Sequence, residues 1–208
     1  MIFQGNPDIN KTAYMNWRTD KHDQVANFIT LADGYAEGSL LLIGECLEDN
    51  TDKKADSVIF PILFSVNQAI ELYLKAIEWS LNILGGRDAK FTGGHDIRQI
   101  WQTVKGKVNG YEKNERRDQF KALTDKLDDY INELYSKIDP AGKAKGIKNM
   151  DFSRYPLNSD KQPHFYILMA DNCMVDLKEL KGFWSEMSEN LSSIASDYLE
   201  KAEFDGEE

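Results

Sequence analysis

An all-α fold, an up-and-down bundle of about five helices, is the architecture that the amino-acid sequence predicts. Three observations lead to this prediction. Apolar residues recur at spacings of three and four in several long segments, which is typical of helices with one buried face. Charged or turn-rich stretches separate those segments. No stretch alternates apolar and polar side chains long enough to indicate a β-strand.

The predicted central helix covers residues 57–84, where the apolar stripe is continuous and further apolar residues extend onto other sides. At 1.5 Å per residue this helix would be roughly 40 Å long. We therefore expect several helices, or a second copy of the protein, to pack on it. Its apolar run is interrupted by five polar residues, Asn67, Gln68, Glu71, Lys75 and Glu78. These interruptions favour a helix of a soluble bundle over a membrane-spanning helix.

The ends of this central helix carry their own signals. Pro61 is expected in the first turn, where its missing N–H has no partner to lose, so the helix would begin near Val58. Gly85 and Gly86 are expected to end it in a left-handed conformation. The other predicted helices span residues 19–47, 95–109, 112–138 and 166–199, the last as one long helix or two collinear ones.

The length of 208 residues suits one domain, which we expect over residues 19–200. Residues 1–18 are predicted to be loosely ordered, and residues 201–208 to form a frayed acidic tail. Cys46 and Cys173 both lie among apolar residues of predicted helices, where free cysteine behaves as a small hydrophobe. Two buried thiols and the polar start of the chain, which lacks a signal-peptide pattern, indicate a cytoplasmic protein.

The formal net charge of −10 argues against a protein that coats DNA without regard to sequence. One segment reverses this balance, because a single acid, Asp151, accompanies four basic residues, Lys143, Lys145, Lys148 and Arg154. Phe152 and Tyr155 lie beside them and could stack on bases. This combination is typical of a contact with single-stranded RNA or a nucleotide. The alternative is an exposed loop that its lysines keep soluble.

Two further pairs of residues are candidates for a site. Glu71 and Lys75 are four residues apart and can form a helical ion pair. Alternatively, Glu71 reaches Arg154 and holds its segment against the bundle. Asp96 is expected to cap the next helix and to complement its dipole. Its neighbour His95 either orients this helix start or contacts a phosphate or carboxylate near the end of the bundle.

Metal and cofactor chemistry find no support in the sequence. The three histidines, His22, His95 and His164, are scattered along the chain. No zinc-binding motif, paired-cysteine motif or phosphate-binding glycine loop occurs. We therefore predict no metal and no cofactor.

Three short motifs follow one another in a recognisable order: NQAIELYLKA at residues 67–76, GHDI at residues 94–97 and RYP at residues 154–156. Together they resemble the HEPN superfamily of prokaryotic helical domains, over about residues 57–190. The resemblance implies a bundle of four or five helices that commonly forms homodimers. It also implies an association with RNA or nucleotide chemistry in defence and toxin–antitoxin settings.

Active ribonucleases of that superfamily resemble one another in an arginine and a histidine that are separated by four to six residues, and they cut RNA without metal. Here Arg154 and His164 are separated by nine residues, and Arg87 and His95 by seven, in a different part of the chain. This departure favours a non-catalytic binding or regulatory protein for RNA, a nucleotide or a partner protein. The alternatives are a divergent metal-independent ribonuclease, in which Arg154 converges with His164 or His95, and a protein-binding scaffold.

Overall fold

The computed structural model describes residues 2–87, 90–139 and 150–205. Within these ranges the regular structure is helical, with two short 3₁₀ turns and a single isolated bridge between Leu157 and Pro163. The all-α bundle predicted from the sequence is therefore confirmed. The six helices are α1 (Gln24–Glu48), α2 (Ala55–Leu84), α3 (Ile97–Tyr111), α4 (Asn114–Ile138), α5 (Phe165–Leu168) and α6 (Leu177–Asp205).

The centre of the bundle is α2. Helices α1, α2 and α6 pack against one another, α3 covers a further side of α2, and α4 packs on α6 and α3. Because these helices belong to the same chain, the apolar sides of α2 do not need a second copy to cover them. Within the single chain, α2 already has fully buried side chains, including Ile62, Ile70, Leu74 and Ile77. The expectation of a dimer therefore cannot be based on α2.

A buried hydrogen bond joins α6 to α1 across this core. The indole Nε1–H of Trp184 donates to Oγ of Ser39 at 2.7 Å. The Ser39 hydroxyl in turn donates to the backbone carbonyl of Ala36 at 2.7 Å. Trp184 and Ser39 are both completely buried. Trp184, the largest side chain of α6, is thus fully packed and its N–H has a hydrogen-bond partner, as a buried indole requires.

Two helix starts differ from the sequence predictions. Helix α1 begins at Gln24, because the Asp23 carboxylate caps it by accepting from the Ala26 N–H at 2.9 Å. Helix α2 begins at Ala55, three residues before the predicted start. Pro61 therefore lies in the second turn and not in the first. Because proline has no N–H, the carbonyl of Ser57, four residues earlier, loses its usual helical partner. Helix α2 ends at Leu84, as predicted, but only one of the two glycines is left-handed: Gly86 has a φ of 63° and Gly85 a φ of −88°.

The C-terminal region is also divided differently. The short helix α5 ends at Leu168, and α6 begins only after Asp176, whose carboxylate accepts from two N–H groups of the first turn. Cys173 lies between these helices and is exposed, so the prediction that both cysteines are buried is wrong, although Cys46 is buried. Helix α6 runs to Asp205, well into the predicted tail. Buried Ala202 keeps that end packed.

By length and composition α2 could cross a membrane, and no other helix of the described ranges could. Core helices of folded bundles pass the same test. Glu71, Lys75 and Glu78 lie near its middle and are buried inside the bundle. Such charges are expensive in a bilayer, whereas here they have partners on the same chain.

Candidate binding site on the central helix

One face of α2 carries a line of buried polar side chains, which we call the polar stripe: Asn67, Glu71, Lys75, Glu78 and Asn82. Their spacings of four, four, three and four place them along one side of the helix. Four of these five residues were expected as interruptions of an apolar run, and Asn82 was not singled out. Their helical spacing is the signal in the sequence that indicates the stripe.

Glu71 is the centre of this stripe. Its Oε1 accepts from Lys75 Nζ at 2.8 Å and lies 2.9 Å from Nδ1 of His95. The side chains of Glu71 and Lys75 are each only 8% exposed, whereas that of His95 is 75% exposed. The predicted ion pair is therefore present and buried. The loop that follows α2 thus places the His95 ring against the same carboxylate.

The GHDI motif gives the loop its shape. Gly94 has a φ of 104°, which favours glycine. Asp96 caps α3, as predicted, by accepting from the Gln99 N–H at 3.1 Å. The same carboxylate accepts from the hydroxyl of Tyr135 on α4 at 2.6 Å. Burial and the hydrogen bond to Asp96 raise the pKa of Tyr135, so this phenol stays protonated and donates.

The second half of the polar stripe binds the loop that leads to His95. The Glu78 carboxylate accepts from the Thr92 hydroxyl at 2.8 Å and from its N–H at 3.1 Å. Asn82 accepts from Lys107 Nζ at 2.6 Å and donates to the Lys90 carbonyl at 3.1 Å. Glu78 and Asn82 are buried. These contacts fix the loop on α2 and thereby set the position of His95.

Arg154 lies against the first half of α2, but not where one of the predictions placed it. Its guanidinium pairs with Asp151 and lies 5.6 Å from the ring centroids of both Phe64 and Tyr155. Glu71 takes Lys75 and His95 as its partners, so the predicted contact between Glu71 and Arg154 is wrong. Arg154 pairs with Asp151 instead, because this carboxylate is only three residues away in the chain.

Aromatic contacts hold the Arg154 segment on the bundle. Phe60 of α2 packs on Tyr166, with ring centroids 5.2 Å apart. Phe152, which is buried, packs on Phe165 at 5.6 Å. Tyr155, in contrast, is 57% exposed. The predicted site residues Lys143, Lys145 and Lys148 lie outside the described residues.

His164 is not placed to act on a substrate. It is only 3% exposed, and its Nε2 has no hydrogen-bond partner among the described residues. Burial lowers the pKa of His164, while Asp151 and a hydrogen bond to the Leu157 backbone oppose that shift. The ring is therefore neutral and enclosed, and it is a poor candidate for catalysis.

This burial predicts a pH dependence of stability. Because the folded-state pKa of His164 lies below its ordinary value of 6.5, the unfolded chain binds more protons as the pH falls through that value. The free energy of unfolding should therefore be highest above about pH 6.5 and should decrease below it. Urea unfolding between pH 8 and pH 5 measures this. His164→Phe should remove this component, and the exposed control His22→Ala should keep it.

Arg154 and His95 lie beside the same side of α2. Their contacts there, Phe64 and Glu71, are seven residues apart, which is two helical turns and about 10 Å. Between them Asn67 accepts from the Tyr130 hydroxyl at 2.8 Å, while its buried Nδ2 has no partner among the described residues. Arg154, with the exposed ring of Tyr155, and the exposed imidazole of His95 thus contact α2 at two points that are two turns apart. Such groups bind phosphate and stack on bases.

Within the described residues, no group of three or more histidine, cysteine, aspartate or glutamate side chains could hold a metal ion. No family model, no curated protein and no solved structure matches the chain.

Proposed function

We propose that the protein is a non-catalytic, HEPN-like binding or regulatory module that contacts single-stranded RNA or a nucleotide in a defence or toxin–antitoxin setting. The observation that carries this proposal is the Arg154–Tyr155 pair, held on α2 by Phe64 with the tyrosine ring open to solvent. We call this pair the stacking site. The order of the three sequence motifs supports the same assignment.

The chemistry of the stacking site fits a nucleic-acid ligand. A guanidinium has five N–H donors, and the ion pair with Asp151 uses one end of it through Nη2. The remaining donors can bind a phosphate, while Tyr155 offers a ring face to a base. His95 contacts α2 through Glu71, two turns farther along the helix, and can bind the next anionic group. The net charge of −10 repels a polyanion from the rest of the surface, so we expect RNA to contact the protein only at this site.

Binding of a fluorescently labelled single-stranded RNA of mixed sequence, followed by anisotropy at low salt, tests the proposal. Tyr155→Ala should lose one stacked base, about 1–3 kcal/mol, which is roughly 5- to 150-fold in affinity. Arg154→Ala should also weaken binding, and it should reduce the slope of log K against log salt by about 0.7.

Matched variants separate this site from general effects of charge and aromatic content. Arg116 is an exposed arginine that also pairs with an aspartate, at 3.4 Å from Asp197, and Tyr111 is an exposed tyrosine at the end of α3. Arg116→Ala and Tyr111→Ala should bind the RNA like the wild type. Equal losses in both pairs of variants, or no binding by the wild type, would reject the proposal.

One observation favours the second candidate, a metal-independent ribonuclease. Buried Glu71 contacts Nδ1 of His95 and thereby orients the ring. The side chain is exposed, so Nε2 could take a proton from a substrate, as a general base does. Against it stand the burial of His164 and the pairing of Arg154 with Asp151. RNA that is cut in the presence of a chelator by the wild type, and not by His95→Ala, would replace the first candidate by this one.

We also propose that the protein forms homodimers in the cytoplasm. The supporting surface is apolar and lies on the N-terminal segment, where Met15 and Trp17 are exposed beside Leu31 of α1 and line a cavity of about 750 Å³ with it. Exposed apolar surface of this kind is common at interfaces between proteins. Light scattering at micromolar concentration should give about twice the chain mass of 23.8 kDa, and a mass of one chain would contradict the dimer.

A further inference from the structure

A second open groove lies between α1 and α6, with Tyr73 of α2 at its floor. Its volume is about 700 Å³, within the range of ligand-binding clefts. It shares no lining residue with the cavity beside the N-terminal segment. The α1 side is formed by Asp33, Ala36, Glu37, Leu40 and Leu41, and the α6 side by Ser188, Glu189, Ser192, Ser193 and Ser196.

The floor of this groove is fixed by hydrogen bonds among three helices. The Tyr73 hydroxyl donates to Oδ1 of Asp33 at 2.5 Å. The Ser192 hydroxyl donates to the same oxygen at 3.0 Å. Asp33 therefore joins α1 to α2 and α6, and the groove is formed before any partner binds. A preformed groove costs less ordering on binding than one that must open.

The rim of the groove is negatively charged. Glu37 and Glu189 are exposed on opposite sides, and within the described chain neither has an ion-pair or hydrogen-bond partner. Helix α1 contains four acidic residues and no lysine or arginine. Helix α6 likewise has no lysine or arginine between Gly182 and Glu200. A cationic occupant would therefore be attracted, whereas a second copy of this face would bring like charges together.

The shape of the groove suits a helix. The four serines of α6 are small, so they leave depth between the two helices. Leu41 is largely exposed and Leu40 is half-buried beside it, which supplies apolar surface along α1. An apolar groove with a charged rim is the usual receptor for an amphipathic helix that places its apolar face inward.

We propose that the groove between α1 and α6 is the docking site for a basic amphipathic helix of a partner protein. Its apolar residues would pack on Leu40 and Leu41, and its lysines or arginines would pair with Glu37 and Glu189. This proposal does not depend on RNA binding, because the groove and the stacking site have no residue in common.

A synthetic amphipathic helical peptide of leucine and lysine, titrated into the isotope-labelled full chain, tests this proposal by NMR. We expect shift changes confined to residues 33–41 and 188–196. The double variant Glu37→Lys/Glu189→Lys should weaken binding at least about tenfold, because two attractive charges become repulsive. Ser196→Trp should weaken it similarly by filling the groove.

Glu48→Lys/Glu200→Lys is the matched control, because it makes the same change of charge on the same two helices at exposed positions outside the groove. It should retain wild-type binding. A control that weakens binding as much as the groove variant, equal binding of a scrambled peptide, or shifts elsewhere would overturn the proposal. Concentration-dependent shifts in the groove without peptide would also overturn it, since the occupant would then be a second copy.

Discussion

Glu71→Ala is expected to lower the free energy of unfolding by about 3–5 kcal/mol. The reason is that Lys75 would remain as a buried ammonium without its carboxylate, since the side chains of both residues are only 8% exposed. His95 would also lose its partner, but its ring is exposed and can be hydrated again. Urea unfolding followed by circular dichroism measures the change, because helix content reports on the whole bundle.

A double variant separates the loss of the charge pair from the loss of packing. Glu71→Leu/Lys75→Met removes both charges while keeping similar volume, and replacing a buried ion pair in this way is often nearly neutral. We therefore expect it to recover most of the stability that Glu71→Ala loses. If the single and the double variant lost the same amount, the buried pair would not be the cause.

Trp184→Ala should also destabilise the protein by about 3–5 kcal/mol, the range measured for large aromatic residues in cores. Trp184 is completely buried between α6 and α1, and its removal would leave a cavity and delete the hydrogen bond to Ser39. Thermal and urea unfolding would report the loss.

Phe204, which is exposed near the end of α6, provides the control for this substitution. Phe204→Ala removes a large aromatic side chain from the surface, where most changes stay within about 0.5 kcal/mol. A loss below about 1 kcal/mol for Trp184→Ala, or equal losses for both variants, would show that α6 does not pack on α1 as described.

The sequence was sufficient for the fold because the apolar spacing of α1, α2, α3 and α4 reflects their buried faces directly. It was less reliable at helix ends, where single side chains decide. The Asp23 carboxylate sets the start of α1. Pro61 is tolerated in the second turn because the packing of α2 outweighs one missing hydrogen bond. Cys173 is exposed because α5 ends after four residues, which the apolar spacing alone did not indicate.

The candidate site was predictable only where its contacts are local. The pair Glu71–Lys75 and the Asp96 cap follow from short spacings on one helix. The contact of His95 with Glu71 joins residues 24 apart, and it depends on how the loop folds back on α2. Arg154 was assigned to the distant Glu71, although Asp151 lies three residues before it in the sequence and is its partner in the structure.

The most direct test of the account is a titration of the isotope-labelled protein with a short single-stranded RNA, followed by NMR, with the RNA recovered afterwards and its length checked. We predict shift changes at Phe64, Arg154 and Tyr155, no changes in the groove between α1 and α6, and RNA that remains intact. Unchanged signals at the stacking site, or RNA that has been cut, would contradict binding without catalysis at this end of α2.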